Sequence, residues 1–449
     1  MNSIKNKILL FLIPIFLFLR ITALENAPMN VSIKGSSVEK MKLLIGVIDA
    51  NEIMDASSPL LKEMLERSKV MLSGFSVTVM PFEKQPSKAA MKELTKDGFG
   101  LGLFLAHSWR GTTIDWRLYD LDAHQMLKGK RFVTKEYPPA IVAEHIADQV
   151  WPLLTGQGGF FSTRIAYCKE KRIKGKKIEK HIYVTAPYID CEKCAEQSSL
   201  LVQHANAFAP RWNNDSLAPM VLYSEITNSN VRLMSVAMDK KRKMVANLDG
   251  FVMRPSFSND GKKVVYCSCD GSIGSKSTIY LYQIDAQTGR PSLSQITHNS
   301  GQNISPTLCD NGDIVFCSDA GSKQPYICYY HADTKEFERV TNDGYCSSPS
   351  FCQATSKIAY SRMCNGVAQL FSYDLITKTH TQMTFDNSNK EESCWSPCGN
   401  YLAFTVTNGK TSRVAVHHVF SNERIYVTSA QDRCCYPSWS PLYEQPIVV

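Results

Sequence analysis

Apolar and polar positions along the chain follow two different periods. Between residues 25 and 160, runs of strand length alternate with stretches of helical spacing. "KLLIGVI" (42–48), "FSVTVM" (75–80), "FGLGLFLA" (99–106), "TIDWRLYD" (113–120) and "QMLKGKRFV" (125–133) read as strands. "SPLLKEMLERSKVML" (58–72) places Leu61, Met64, Leu65 and Leu72 at helical spacing behind a Ser58-Pro59 start. A further helix is predicted over 139–154, where Val142, Ile146, Val150 and Leu153 share a face. Pro139 suits its first turn and Gly156 its stop. The pattern predicts a small α/β domain whose helices cover one sheet. From residue 161 onward the helical period is lost. Short runs of Ile, Val, Tyr, Phe and Thr alternate with Asn, Asp, Gly and Ser, which predicts an all-β domain.

The β region repeats. Pro437-Ser438-Trp439-Ser440 has earlier copies at Pro210-Arg211-Trp212, Pro255-Ser256-Phe257-Ser258, Pro306-Thr307-Leu308-Cys309 and Pro349-Ser350-Phe351-Cys352. A further copy, Ser393-Cys394-Trp395-Ser396, has serine in the proline place. The six anchors at 210, 255, 306, 349, 393 and 437 lie 45, 51, 43, 44 and 44 residues apart. A period near 40–45 with several strands per unit is the signature of propeller blades. In one unit, 255–258, "KKVVYCSC", "STIYLYQID" and "SLSQIT" are four successive strands, with Asn259-Asp260-Gly261 as a tight turn.

Five anchors open a complete unit; the sixth, at 437, does not. Residues 162–206 supply the missing strands: "STRIAYC", "KHIYVTAP" and "SLLVQHAN" match the second, third and fourth strand patterns but lack a first. Pairing 437–440 with 162–168 closes the ring. The expected fold is therefore α+β and multidomain, a small α/β domain followed by a six-bladed propeller whose last blade is closed by the C-terminal strand.

Composition refines this picture. Lys5 and Lys7 precede the apolar run 8–19, the pattern of a secretory signal peptide and too short for a comfortable membrane span. The expected divisions are a signal at 1–23, an extended segment at 24–35, the α/β domain at 36–158 and the propeller at 159–449. The mature protein is then exported, with no membrane span. The net charge is +8, and the stretch 169–180 alone holds seven basic and two acidic residues. The rest of the mature chain is close to neutral, which argues against nucleic acid as a partner. The basic run reads as an exposed hairpin tip. All 15 cysteines lie after the signal, where disulfides are permitted. Cys346 and Cys434 each lie three residues before an anchor, and with Cys435 they are expected as cross-linkable thiols at the channel mouth. Cys191 and Cys194 have redox or zinc spacing without a second pair, so a loop disulfide or inert thiols is the expectation. No Gly-x-Ser-x-Gly elbow and no His-Glu-x-x-His occurs. No catalytic residue, metal site or cofactor is assigned.

The stretch "AEHIADQVWPLLTGQGGFFSTRIAYC" (143–168) resembles the domain junction of the TolB family. The matching positions are His145, Asp148, Leu154-Thr155-Gly156, Gly159 to Thr163 and Arg164-Ile165-Ala166-Tyr167. The anchors resemble the family's Pro-x-Trp-Ser-Pro-Asp-Gly, with Cys309-Asp310, Cys352-Gln353 and Pro397-Cys398 as departures. "VSIKG" (31–35) resembles its mature N-terminus. The resemblance implies a periplasmic, non-enzymatic scaffold of the Tol–Pal system, monomeric on its own, acting in outer-membrane integrity and cell division. It implies that a Pal-type peptidoglycan-associated lipoprotein binds the loops before the anchors. By position these contribute Phe251, Arg254, Asn303, Ser305, Tyr345, Ser348, Glu391, Glu392, Arg433 and Tyr436. It implies that a TolA-type inner-membrane protein contacts Asn30, Val31, Ser32 and Ile33. Two alternatives stand beside it: a periplasmic propeller for glycans or other small ligands, and a hydrolase gated by the propeller, which the missing nucleophile motif disfavours.

Overall fold

The computed structural model describes residues 41–48, 57–58, 62, 75–107, 113–133, 137–172, 178–188, 198–203, 206–213, 218–227, 231–246, 251–258, 262–269, 275–284, 290–420 and 424–443. The signal, the 24–35 segment, most of the 58–72 helix, Cys191, Cys194, the 259–261 turn and the centre of the basic run lie outside the described residues.

The first sheet has five strands in the order Phe75–Phe82, Met41–Ile48, Phe99–His107, Thr113–Asp120 and Gln125–Val133. The first three are parallel and the last two antiparallel. Alternation along Met41–Ile48 sends Leu43, Ile45 and Val47 to one face and Leu44 and Ile48 to the other. Helix α1 (Lys88–Lys96) covers the second face with Met91 and Leu94. Helix α2 (Pro139–Thr155) covers the first with Val142, Ile146, Val150 and Trp151. The two described helices thus lie on opposite faces. The sequence pattern missed α1; its Ser87 side chain accepts from the Ala90 amide as an N-cap.

The remaining described strands form six four-stranded antiparallel sheets. Five are consecutive in sequence. The sixth joins Cys434–Trp439 to Ile165–Arg172, with Cys434 opposite Lys169 and Trp439 opposite Ile165. A hydrophobic core fills each junction between neighbouring sheets. Thr297, Thr341, Thr384 and Thr428, each just past an outer strand, are buried and accept the amides of Ile279, Ile327, Leu370 and Val414. This repeated bond fixes where each chain leaves its outer strand for the next inner strand.

The closing junction differs from the other five. Its core joins Tyr401, Val414 and Val416 of one blade to Ile165, Tyr167, Cys434 and Trp439 of the next, and continues through Phe160 and Phe161 into α2 and the first sheet. Ring closure and domain docking therefore share one apolar core. The residues that carry the family resemblance build this joint. Asp148 accepts the amides of Phe161 and Ser162 at 2.7 and 2.9 Å, and the Ser162 hydroxyl. A Cβ on Gly159 would stand 2.8 Å from the Asp148 backbone, so glycine is required there. Arg164 pairs with the buried Glu144 at 2.9 Å, and Tyr188 donates to the same carboxylate at 2.6 Å. Burial pushes the Asp148 carboxyl up to about 6, although its hydrogen bonds pull the other way. A folded pKa raised above the unfolded value adds stability that is complete below about pH 4 and lost as pH rises through about 6. Wild type should therefore lose up to about 3 kcal/mol relative to Asp148→Asn between pH 4 and pH 7. Urea unfolding of both proteins at the two pH values measures this, and an unchanged difference would contradict it.

Candidate docking site at the channel mouth

The inner strands line the channel, and each carries a bulge at its anchor. The residue before the anchor is in the left-handed region in all six: Ala209 (φ 51°), Arg254 (47°), Ser305 (55°), Ser348 (52°), Glu392 (59°) and Tyr436 (55°). The strand register slips at the same place in each sheet. A non-glycine residue held there costs about 1–3 kcal/mol and persists only where its surroundings fix it.

The surroundings are the other members of the ring. The Arg254 guanidinium donates to Ser305 Oγ at 2.8 Å and Ser348 Oγ at 3.2 Å, and meets Glu392 Oε1 at 3.1 Å. It lies 5.0 Å from the centre of the Tyr436 ring. The second Glu392 oxygen accepts the Tyr436 amide at 2.7 Å and the Thr405 hydroxyl at 2.8 Å. Five residues from five blades thus form one hydrogen-bonded plug across the channel. Burial is the largest single influence and works against the Arg254 charge, but Glu392 and Tyr436 together outweigh it and hold the pKa up.

The plug gathers five of the residues placed at the mouth by sequence. The rest divide. Tyr345 is 48% exposed and the Arg433 side chain 50% exposed. Glu391 is exposed and, with Arg433, Glu392 and Cys435, lines a mouth cavity of 160 Å³. Asn303 is buried and fully used: its amide nitrogen reaches Ser277 O, Gly301 O and Asn299 Oδ1, and its oxygen accepts from Ser318. Phe251 opens its inner strand, its side chain lying outside the described residues. Residues 30–33 lie outside them too. The mouth loops are held rigidly. Lys390, fully buried, binds Asp386 at 2.6 Å, Gln369 Oε1 at 3.1 Å and two carbonyls.

The expectation of three reactive thiols at this mouth is corrected. Cys346 and Cys434 are fully buried in two inter-blade cores, because at three residues before the anchor the side chain faces the neighbouring blade. Burial pushes both thiols up, away from the reactive thiolate. Cys435 is partly exposed and stands opposite Cys168 in the closing sheet.

Past the bulge, the channel widens to a cavity of 480 Å³ at the opposite end, lined by Arg211, Ser256, Thr307, Ser350, Cys394 and Ser438 among others. These follow the anchors directly, and several bond the next inner strand: Ser256 accepts the Leu308 amide, Thr307 donates to Pro349 O, and Ser438 accepts the Trp212 amide. Arg211 escaped the sequence reading, although an arginine in a column of small side chains was its visible signal. Among the described residues, Asp313, His331 and Asp333 bring three metal-capable atoms together, but the Asp313 oxygens already accept from Ala332, Tyr329 and Asn311.

A family model, PD40, the TolB beta propeller domain, matches residues 151–443. The chain belongs to the TolB β-propeller family. Two strains of Francisella tularensis subsp. holarctica carry relatives named Tol-Pal system protein TolB, each 22% identical over 370 residues, covering 80% of this chain and 82% of theirs. The crystal structure of TolB from Acinetobacter baumannii shares the fold, with TM-score 0.72 at 18% identity over 90% of this chain and 97% of that one. Kuenenia stuttgartiensis hydrazine synthase contains a more distant likeness, with TM-score 0.51 at 13% identity over 65% of this chain and 48% of that one. The protein is a TolB-like propeller. Among its described residues no helix is long and apolar enough to cross a membrane.

Proposed function

We propose that this TolB-family chain is a periplasmic, non-enzymatic scaffold that binds a Pal-type peptidoglycan-associated lipoprotein at the plugged mouth and a TolA-type inner-membrane protein through residues 30–33. The observation that carries the reading is the mouth itself. A bonded floor of Arg254, Ser305, Ser348, Glu392 and Tyr436 supports a rim with exposed Tyr345, Glu391 and Arg433. A rigid floor under an aromatic and charged rim suits a folded protein partner, since little ordering entropy is lost on binding. In this reading Tyr345, Glu391 and Arg433 touch the lipoprotein, the plug shapes the surface, and Asn303 holds its loop. The divisions at 23, 35 and 158 give the exported chain, its extended contact segment, the joint domain and the propeller, which works as a monomer.

Pull-down with the periplasmic domain of a Pal-type lipoprotein tests the proposal. Retention of that domain supports it; failure to retain it, together with retention on a glycan column, would favour a ligand-binding propeller instead.

A further inference from the structure

Arg211 is unlike the half-buried arginines Arg164 and Arg254. Arg164 has Glu144 and Arg254 has Glu392. Arg211 uses only its Nη1 group, which donates to Pro210 O at 3.0 Å and Pro437 O at 3.3 Å. Its Nε and Nη2 hydrogens, the edge that grips a carboxylate with two parallel bonds, have no protein acceptor among the described residues. Both Glu392 oxygens are already taken, by Arg254 on one side and by Tyr436 and Thr405 on the other. Asp310 sits on an exposed turn at the cavity rim and is not bonded to Arg211. Arg211 therefore places a positive charge in the channel interior with no hydrogen-bonded acidic partner, the Glu392 carboxylate acting on it only at a distance. Burial, joined by the like charge of Arg254, lowers its pKa more than Cys394, Glu392 and Tyr436 raise it, so an anion beside it would favour the charged form.

The space for that anion exists. The 480 Å³ cavity falls within the usual range for small-ligand sites, about 300–1,000 Å³. It opens among residues 310, 353–354, 397 and 441, at the end of the inner strands away from the loops that precede the anchors. The Arg254–Glu392 pair sits at the bulge, one position before the anchors, on the other side of the proline places from this cavity.

We propose that this second mouth is a binding site for a carboxylate, gripped by the Nε–Nη2 edge of Arg211, with the cavity accepting the first residues or carbons behind the carboxylate. Two sources share that chemistry: the free C-terminus of a peptide and a small polycarboxylate. The site is separate from the docking face proposed above, and either can fail alone.

Titration calorimetry of the full propeller protein at low ionic strength, with Ala-Ala-Ala, its C-terminal amide and citrate as probes, tests the site. The expected result is binding of Ala-Ala-Ala or citrate at about millimolar Kd or tighter, at least about tenfold weaker binding of the amide, and at least about tenfold loss in Arg211→Ser. Four of the five other blades carry Ser or Thr at this position, so the serine variant keeps a side chain the ring already accommodates. Arg211→Lys, a second check on folding and geometry, keeps the charge but loses the two-pronged edge and should bind with intermediate strength. Preference for the peptide over citrate identifies a chain terminus as the occupant, and the reverse identifies a small acid. No binding of either carboxylate by folded wild type at about 10 mM, or equal binding by Arg211→Ser, overturns the proposal.

Discussion

Removal of residues 434–449 is expected to abolish cooperative folding of the propeller, not to fray one blade. The deleted strand is the inner strand of the sheet built on Ile165–Arg172. It also supplies Cys434 and Trp439 to the core shared by the closing junction and the α/β domain. The Trp439 indole donates to the buried Thr163 hydroxyl at 2.7 Å, and Trp212 of the next blade donates to Ser438 O at 3.0 Å. Tyr443 donates to Asn213 O at 2.7 Å in that same next blade. One deletion thus opens two inter-blade junctions and the domain joint together. Loss of the Trp439 side chain alone should cost about 3–5 kcal/mol. The whole strand should cost an amount comparable with total domain stability, about 5–15 kcal/mol. Trp439→Ala is the graded version, and its urea midpoint should fall accordingly. A truncated chain that melts at the wild-type temperature, with disorder limited to its end, would contradict ring closure.

The second large effect is expected at the plug. Arg254→Met leaves the Glu392 carboxylate inside the channel without its cation, and Glu392→Gln does the converse. Breaking a buried pair from one side costs about 3–5 kcal/mol. The side chains here are 19% and 13% exposed, so channel water should bring the value toward the lower end. Arg254→Met with Glu392→Gln should be less destabilised than the sum of the single changes, because neither charge is then stranded. Ser305→Ala and Ser348→Ala each remove one bond to the guanidinium and should cost about 1 kcal/mol. A double-mutant cycle by urea unfolding reads all of this. Strict additivity of Arg254 and Glu392 would mean the pair is not coupled.

The blades were legible in the sequence because the anchor recurs with little change. Pro210, Pro255, Pro306, Pro349 and Pro437 mark the inner strands, and alternation along "DIVFCSD" or "NYLAFTVT" marks the next ones. Closure was legible for the same reason: a first strand at one end and its missing partners at the other. The plug was not. The six residues before the anchors are Ala, Arg, Ser, Ser, Glu and Tyr, so no shared residue type announces a common place. Arg254 and Glu392 meet across 138 residues of chain, a distance no local pattern spans. The cysteines failed for a simpler reason. Counting back from the anchors gave the right height on the strand for Cys346 and Cys434, but not the face, and one residue of a strand reverses the face. Helix α1 was missed because its apolar face is only Met91 and Leu94, within nine residues.

In the proposed function the plugged mouth, and not the opposite one, is the protein-docking face. The direct measurement is the affinity of a Pal-type lipoprotein domain for wild type, for the rim variant Tyr345→Ala with Arg433→Ala, and for Arg211→Ser. The rim variant should bind at least about tenfold more weakly and Arg211→Ser as tightly as wild type. Undiminished binding by the rim variant, or a loss confined to Arg211→Ser, would contradict that placement of the docking face.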